Sequence, residues 1–215
     1  PDAPTTSARA TDFLMKILFF SDIHSDLEAL RKIADTPADA YFCAGDLVNW
    51  SQGLQAAGDI LKKHAGKVYV IPGNHESATQ IATFCQAYGF RDLHGKSVEL
   101  GGVHLAALGY SNPTPFDTPG EYGEDEIEER LEAFADLKPM VLVCHAPPKD
   151  TPLDRAGEGQ HFGSTAVAAF LKKAEPFRFF CGHIHEAAGV EAQLGATYGV
   201  NLGKKGYLLD LTLVT

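Results

Sequence analysis

Lys16-Ile17-Leu18-Phe19-Phe20-Ser21-Asp22-Ile23-His24 is the stretch from which the fold follows. Lys16–Phe20 is a short, β-rich apolar run that stops at the polar pair Ser21-Asp22, as a buried strand does. Just downstream, Leu27, Leu30 and Ile33 recur on one face of Asp26–Asp35, which predicts a helix. The alternation then repeats. Ala40–Ala44 reads as a strand, Gln52–His64 as a helix, Val68–Ile71 as a strand stopped by Pro72-Gly73, and Ser77–Tyr88 as a helix with Ser77 as N-cap. A βαβαβ rhythm implies a parallel sheet covered by helices.

After Tyr88 the pattern changes. Ser97–Leu100, Gly101-Gly102 and Val103–Leu108 read as a hairpin, because a Gly pair is a strong turn signal. Ser111–Gly123 is a Pro/Gly-rich loop, Asp125–Phe134 a charged surface helix, and Met140–Cys144 a strand. Pro147–Gly163 is a long loop, Ser164–Lys173 a helix and Phe177–Cys181 a strand. The tail Gly189–Val214 reads as strands with turns at Gly195 and Gly203–Gly206. This β-rich second half is expected to form a second sheet packed on the first, giving an α/β sandwich.

The chain has 215 residues, which suits one domain. Its formal net charge of −10 argues against a broad nucleic-acid surface, which needs clustered Lys and Arg. It leaves a small phosphate substrate open, since two bound cations make one cleft positive on an acidic protein. The cysteines, Cys43, Cys85, Cys144 and Cys181, form no C-x-x-C pair and are expected to be buried core thiols. No apolar stretch reaches the ~20 residues that span a membrane. Pro1–Asp12 is polar and lacks the core of a signal peptide, so a cytoplasmic location is expected. Met15 resembles a natural start, so 1–14 is expected to be an extension and 15–215 a single domain.

The chemistry sits where the strands end. The first strand ends in Asp22-Ile23-His24, the second in Gly45-Asp46 and the third in Gly73-Asn74-His75-Glu76. The strand at Val143 ends in His145, and the strand at Phe179 in Gly182-His183-Ile184-His185. Ligand sites in α/β folds gather outside the carboxyl ends of strands, so these residues are placed to converge. In extended backbone, residues i and i+2 point the same way, so Asp22 and His24 can address one ion together; His183 and His185 can do the same, or split between two adjacent ions. Carboxylate, imidazole and amide oxygen suit Mn, Fe or Zn. The glycines before Asp46, Asn74 and His183 mark sharp loops with close backbone approach. Singly, each motif reads as a turn or cap; their order carries the inference.

The ordered set D-x-H, G-D, G-N-H-[DE], H and G-H-x-H resembles the calcineurin-like metallophosphoesterase superfamily, in its small bacterial and archaeal type. The resemblance runs from Lys16 onward and implies a four-layer sandwich of two mixed β-sheets flanked by helices. It implies two divalent metal ions. Asp22, His24 and His185 would hold one, Asn74, His145 and His183 the other, and Asp46 would bridge them. It further implies a dinuclear metal-dependent phosphoesterase. Two cations ~3.5–4 Å apart clamp the phosphoryl group, and a bridging hydroxide attacks phosphorus in line with the leaving oxygen. His75, beside the site, would serve the leaving group or the transition-state oxygens, which suits an imidazole acid. His75 and Asp46 are thus the expected catalytic residues, and Asn74 and His75 expected substrate contacts; separately from the resemblance, the long loops Ser111–Gly123 and Pro147–Gly163 follow strands and are expected to wall the cleft, with His161 a further substrate contact. Asn49 is expected behind the ligands.

Phosphoprotein phosphatases of this superfamily read G-D-x-V-D-R-G and G-N-H-E-x-R. Here Asn49 and Trp50 replace the Asp and Arg of the first, and Ala78 the Arg of the second. Arg clamps phosphate through a bidentate fork, and a dianionic monoester loses most without it. A small phosphodiester is therefore the expected substrate, cyclic nucleotides included. The alternatives are a phosphomonoesterase or protein phosphatase, and a catalytically silent metal-binding scaffold, as in a retromer subunit. Such scaffolds commonly lack the histidine of G-N-H, which is present here as His75. Relatives often show an Asn-Pro-Gly turn near the C-terminus, where this chain has Asn201-Leu202-Gly203.

Overall fold

The second half of strand β1 (Phe13–Phe20), Ile17 to Phe20, is apolar on both faces because both faces are covered there. Ile17 and Phe19 point to an inner core, while Leu18 and Phe20 point to a layer of helices. The computed structural model describes residues 13–213. β1 pairs in parallel with β2 (Ala40–Cys43), which leads to β3 (Val68–Val70) and a short β4 (Arg91–Asp92). Helices α1 (Leu27–Asp35), α2 (Leu54–Leu61) and α3 (Ala78–Tyr88) cover the outer face through Leu30, Ile33, Ala57, Leu61, Ile81 and Phe84. Local chemistry sets the helix starts. Asp26 Oδ1 caps α1 by accepting from Ala29 N–H, and Ser77 with Gln80 forms a capping box on α3.

In the second half, β5 (Lys96–Leu100) and β6 (Val103–Leu108) form the expected hairpin, and β6 runs parallel to β7 (Met140–Cys144). The connection after β7 is more ordered than a plain loop. It holds a 3-10 turn, Pro152–Asp154, and a small hairpin of β8 (Arg155–Ala156) and β9 (Gln160–His161). β10 (Arg178–Cys181), β11 (Glu191–Leu194) and β12 (Thr197–Asn201) complete a sheet of order β11-β12-β10-β7-β6-β5. Helices α4 (Glu124–Glu132) and α5 (Thr165–Ala174) cover its outer face. The layers are helix, sheet, sheet, helix. Among the described residues no helix is long and apolar enough to cross a membrane.

One expectation is corrected. The tail does not belong wholly to the second sheet: β13 (Tyr207–Leu213) returns to the first and pairs antiparallel with β1, Phe19 opposite Tyr207. Unpaired, β1 would be an exposed edge beside the inner core, and β13 covers it while burying Leu209 and Leu211. Expected boundaries shift little otherwise. α2 starts at Leu54 and ends in a 3-10 turn over Lys62–His64, and β1 begins two residues inside the expected extension. All four cysteines are buried and free.

The inner core joins the sheets. The rings of Phe19 and Phe180 stack with centroids 4.1 Å apart, and neither side chain reaches solvent. Burying each is worth about 1.5–3 kcal/mol. Because β1, β2, β3, β6, β7 and β10 belong to parallel runs, their carboxyl ends gather at one edge of the sandwich. His145 Nδ1 crosses between the sheets to the Ala44 carbonyl at 2.8 Å.

Candidate metal centre

Each motif leaves its strand through a tight loop. Asp22, His24, Asp46 and His183 all have positive φ, at 54°, 47°, 52° and 68°, as do Ser25, Trp50 and Ser51 nearby. Left-handed backbone costs a non-glycine residue roughly 1 kcal/mol or more, and it persists only where surrounding bonds over-determine it. Those bonds are present. Asp22 N–H donates to Gly45 O at 3.0 Å, His24 N–H to Asp46 O at 2.9 Å, and Gly182 N–H to His145 O at 3.1 Å. His183 N–H donates to Asp22 Oδ1 at 3.0 Å and His75 N–H to Asp46 Oδ1 at 2.9 Å. Two glycines permit the approach. A Cβ on Gly73 would fall 2.1 Å from Asp46 Oδ1, and one on Gly182 would fall 2.4 Å from Asp22 Oδ2.

The loops bring the predicted ligands together. Asp22, His24 and His185 offer ligand atoms that all lie within 4.8 Å of one another, and so do Asp46, His145 and His183. A third set at the same spacing, His24, Asp46 and His75, overlaps both pairs of motifs. Asp46 Oδ2 stands between the halves, 3.5 Å from His24 Nε2 and 3.4 Å from His145 Nε2. Asn74 Oδ1 lies 3.1 Å from His145 Nε2 and 2.9 Å from His183 Nδ1. His24 Nε2 faces His185 Nε2 at 2.9 Å. His161 is placed apart from all three sets, with Nδ1 2.7 Å from Asp154 Oδ1.

The charges are strongly coupled. Burial opposes ionisation of Asp46, but His145 and His24 beside it hold its carboxyl far below the usual range. Asp22 is also lowered: burial works against this, and the His185 ring, the His145 charge and the Ser21 hydroxyl outweigh it. Burial alone would depress His145, yet Asp46 raises it to about 9. His183 is pushed down to about 4, by burial and then by the His145 charge. Burial lowers His24, and the Asp22 carboxylate, with Oδ1 3.6 Å from Nε2, raises His185.

Behind the ligands stand Asn49, which the sequence reading expected there, and Glu76, Thr118 and Asn201, to which it assigned no part. Glu76 is fully buried and accepts Asp46 N–H, Val48 N–H and Gly73 N–H at 3.1, 2.9 and 2.8 Å, locking the second and third motif loops together. Burial and the Asp46 charge push its carboxyl up to about 8. Its signal was the acid at the end of the third motif. Thr118, in the loop after β6, accepts Asn74 Nδ2–H at 3.2 Å and donates to Glu121. That bond turns Asn74 Oδ1 toward the imidazoles, and no local pattern announced it. Asn201 Nδ2 reaches the Gly182 and Ile184 carbonyls at 3.2 Å, on either side of His183. Asn49 Oδ1 accepts His24 Nδ1–H at 2.7 Å and leaves the His24 Nε2 lone pair facing the cluster.

The donor set fits divalent ions. Imidazole nitrogens, carboxylate oxygens and one amide oxygen converge with their outer atoms already tied to carbonyls and side chains, as metal ligands require. No thiolate joins them, since the cysteines are buried in the packed layers.

A family model described as calcineurin-like phosphoesterase matches residues 15–187. The Methanocaldococcus jannaschii protein MJ1162, of uncharacterized function, is 31% identical over 207 residues, 91% of each chain. A probable glycerophosphodiester phosphodiesterase GpdQ from Arcobacter nitrofigilis is 25% identical over 125 residues, 56% of this chain and 46% of its own. The crystal structure of TT1561 from Thermus thermophilus superposes with a TM-score of 0.68 at 23% identity, covering 90% of this chain and 91% of that one. That last likeness is one of fold.

Proposed function

The chain belongs to the calcineurin-like phosphoesterase family, and we propose that it is a dinuclear metal-dependent phosphoesterase that prefers phosphodiesters. One observation carries the reading: Asp46 Oδ2 stands within 3.5 Å of imidazole nitrogens from both ligand sets, so one carboxylate serves two centres. Asp22, His24 and His185 would hold one cation, Asn74, His145 and His183 the other, and Asp46 both. Bound there, the pair would supply Lewis-acid stabilisation of phosphoryl charge and a nucleophile at neutral pH.

The chain's own groups do the rest. His75 Nδ1 accepts Trp50 N–H at 3.4 Å, which leaves Nε2 as the ring nitrogen that can meet the leaving oxygen. The ring is steadied edge-on by Trp50 and His24, with centroids 5.4 and 5.0 Å away. Asn74 and His75 are the substrate contacts of this proposal, and His161, bonded to Asp154, has no part in it. The diester preference rests on the missing arginine forks at Trp50 and Ala78, on the 49% exposed indole of Trp50 beside His75, and on the likeness to a probable glycerophosphodiester phosphodiesterase.

The test is an assay of metal-stripped protein on bis-p-nitrophenyl phosphate and p-nitrophenyl phosphate, with and without Mn²⁺. Added metal is expected to restore hydrolysis with the diester preferred. His75→Ala is expected to keep its metal while kcat falls roughly 10²–10⁴-fold. Two bound equivalents of metal without cleavage of either ester would sink the enzyme reading in favour of a silent scaffold.

A further inference from the structure

The cleft beside the ligand cluster is larger than a phosphoryl group needs. It has a volume of about 920 Å³, comparable to the ~300–1,000 Å³ of sites that enclose whole small molecules. Asp22, His24, His75 and His185 line it, and so does the connection between β12 and β13, from Leu202 to Tyr207. That connection carries Lys204 and Lys205, the only Lys or Arg lining the cleft among the described residues of a chain with net charge −10. The arginines missing after the second and third motifs therefore have a counterpart in cationic charge, presented from another wall.

The connection is held in register with the centre. Gly203 N–H donates to Ser21 Oγ at 3.0 Å, and Ser21 N–H donates to Gly203 O at 3.3 Å. Ser21 Oγ in turn donates to Asp22 Oδ2 at 2.5 Å. Gly203 and Gly206, both with φ of 75°, bracket the two lysines in a tight turn. Lys204 Nζ lies 3.3 Å from Asp26 Oδ2, whereas Lys205 has no ion pair among the described residues. The other carboxylate of that wall, Glu191, is engaged by the Tyr198 hydroxyl.

We propose that Lys204 and Lys205 form an anion subsite, so that the preferred substrate carries a second negative group besides the scissile phosphoryl, either a phosphate or a carboxylate. This rests on the phosphoesterase reading above. An ammonium pair carried on a turn beside the cluster but outside the ligand set adds affinity only for substrates long enough to reach it. It also leaves the scissile diester without a cationic clamp.

Two matched pairs of esters test it on the metal-loaded protein. The first is thymidine 5′-(p-nitrophenyl phosphate) with and without a 3′-phosphate. The second is glycerophosphoserine against glycerophosphoethanolamine, which differ by one carboxylate. The anionic member of at least one pair is expected to have the higher kcat/KM, by roughly three- to thirtyfold, the scale of two exposed charge pairs. Added salt should shrink the ratio. Lys204→Ala with Lys205→Ala should bring it toward one, and Lys205→Arg in the Lys204→Ala background should recover part of it. The pair that responds identifies phosphate or carboxylate. Equal rates within both pairs, or a double variant that slows both members equally, would overturn the subsite and leave the phosphoesterase reading standing. Cleavage of none of the four esters would remove both.

Discussion

Asp22, His24 and His185 hold their half of the cluster near solvent, with the His185 side chain 57% exposed, whereas the His145 side chain of the other half is 0% exposed. The two halves also differ in charge. The first owns a carboxylate, Asp22, besides its share of Asp46; the second has no further carboxylate, only the amide of Asn74 and the imidazoles of His145 and His183, which would be neutral as ligands. Exposure governs how fast an ion exchanges, while ligand charge governs how tightly it is held. The outer half should therefore bind more tightly and exchange more freely, and the inner half should be the weaker and better shielded.

The most severe way to break that comparison is to remove what the halves share. Asp46→Ala should cost both halves their metal and lower kcat at least about 10³-fold, measured by metal content and turnover. Next comes removal of one half at a time. Asp22→Ala should weaken total metal affinity more than Asn74→Ala, by roughly tenfold or more in a calorimetric titration, because only the first change removes a negative ligand. Equal losses would show that burial, not charge, sets the ranking.

Acidity sharpens the contrast. In the metal-free protein His145 is raised to about 9 and must lose its proton to become a ligand. Affinity at the inner half should then rise about tenfold per pH unit up to pH ~9 and level off above it. A smaller effect is expected from Thr118→Ala, which frees the Asn74 amide to turn. Inner-half affinity should fall about tenfold, with the Ser variant retaining most of it.

His94 lies outside both halves and should leave their difference alone. Burial pushes it down to about 4, its Nδ1 accepts Gly109 N–H, and its Nε2 meets the Tyr122 hydroxyl. A depressed histidine contributes stability that is present above its ordinary value of 6.5 and lost as pH falls toward 4. In urea unfolding at a series of pH values, His94→Asn should flatten up to roughly 3 kcal/mol of acid destabilisation across that window.

Much of this was legible in one dimension. Apolar runs that end in Asp, His or Asn are local features, and the doubly buried β1 announces itself because Ile17, Leu18, Phe19 and Phe20 leave no polar face. The Asp22-x-His24 and His183-x-His185 pairs were legible as motifs, but not through extended backbone: Asp22, His24 and His183 have positive φ, His185 opens a 3-10 turn, and His183 and His185 join different ligand sets. β13 was harder. Its inward residues Leu209 and Leu211 would suit either sheet, and only the open edge of β1 selects one. The bond from Asn74 to Thr118 spans 44 residues and the bond from Gly203 to Ser21 spans 182, distances over which no sequence period extends.

The sequence by itself determined which atoms are available at the strand ends: carboxylates, imidazoles and an amide, in motif order. Tertiary structure decided how those atoms are aimed. It locked two loops with the buried Glu76, turned Asn74 by way of Thr118, shared Asp46 between two sets of imidazoles, and set the turn of Lys204 and Lys205 along the wall of the cleft. Ligand identity is a property of single residues and their near neighbours. Aim depends on long-range contacts that exist only once both sheets have closed on their common core.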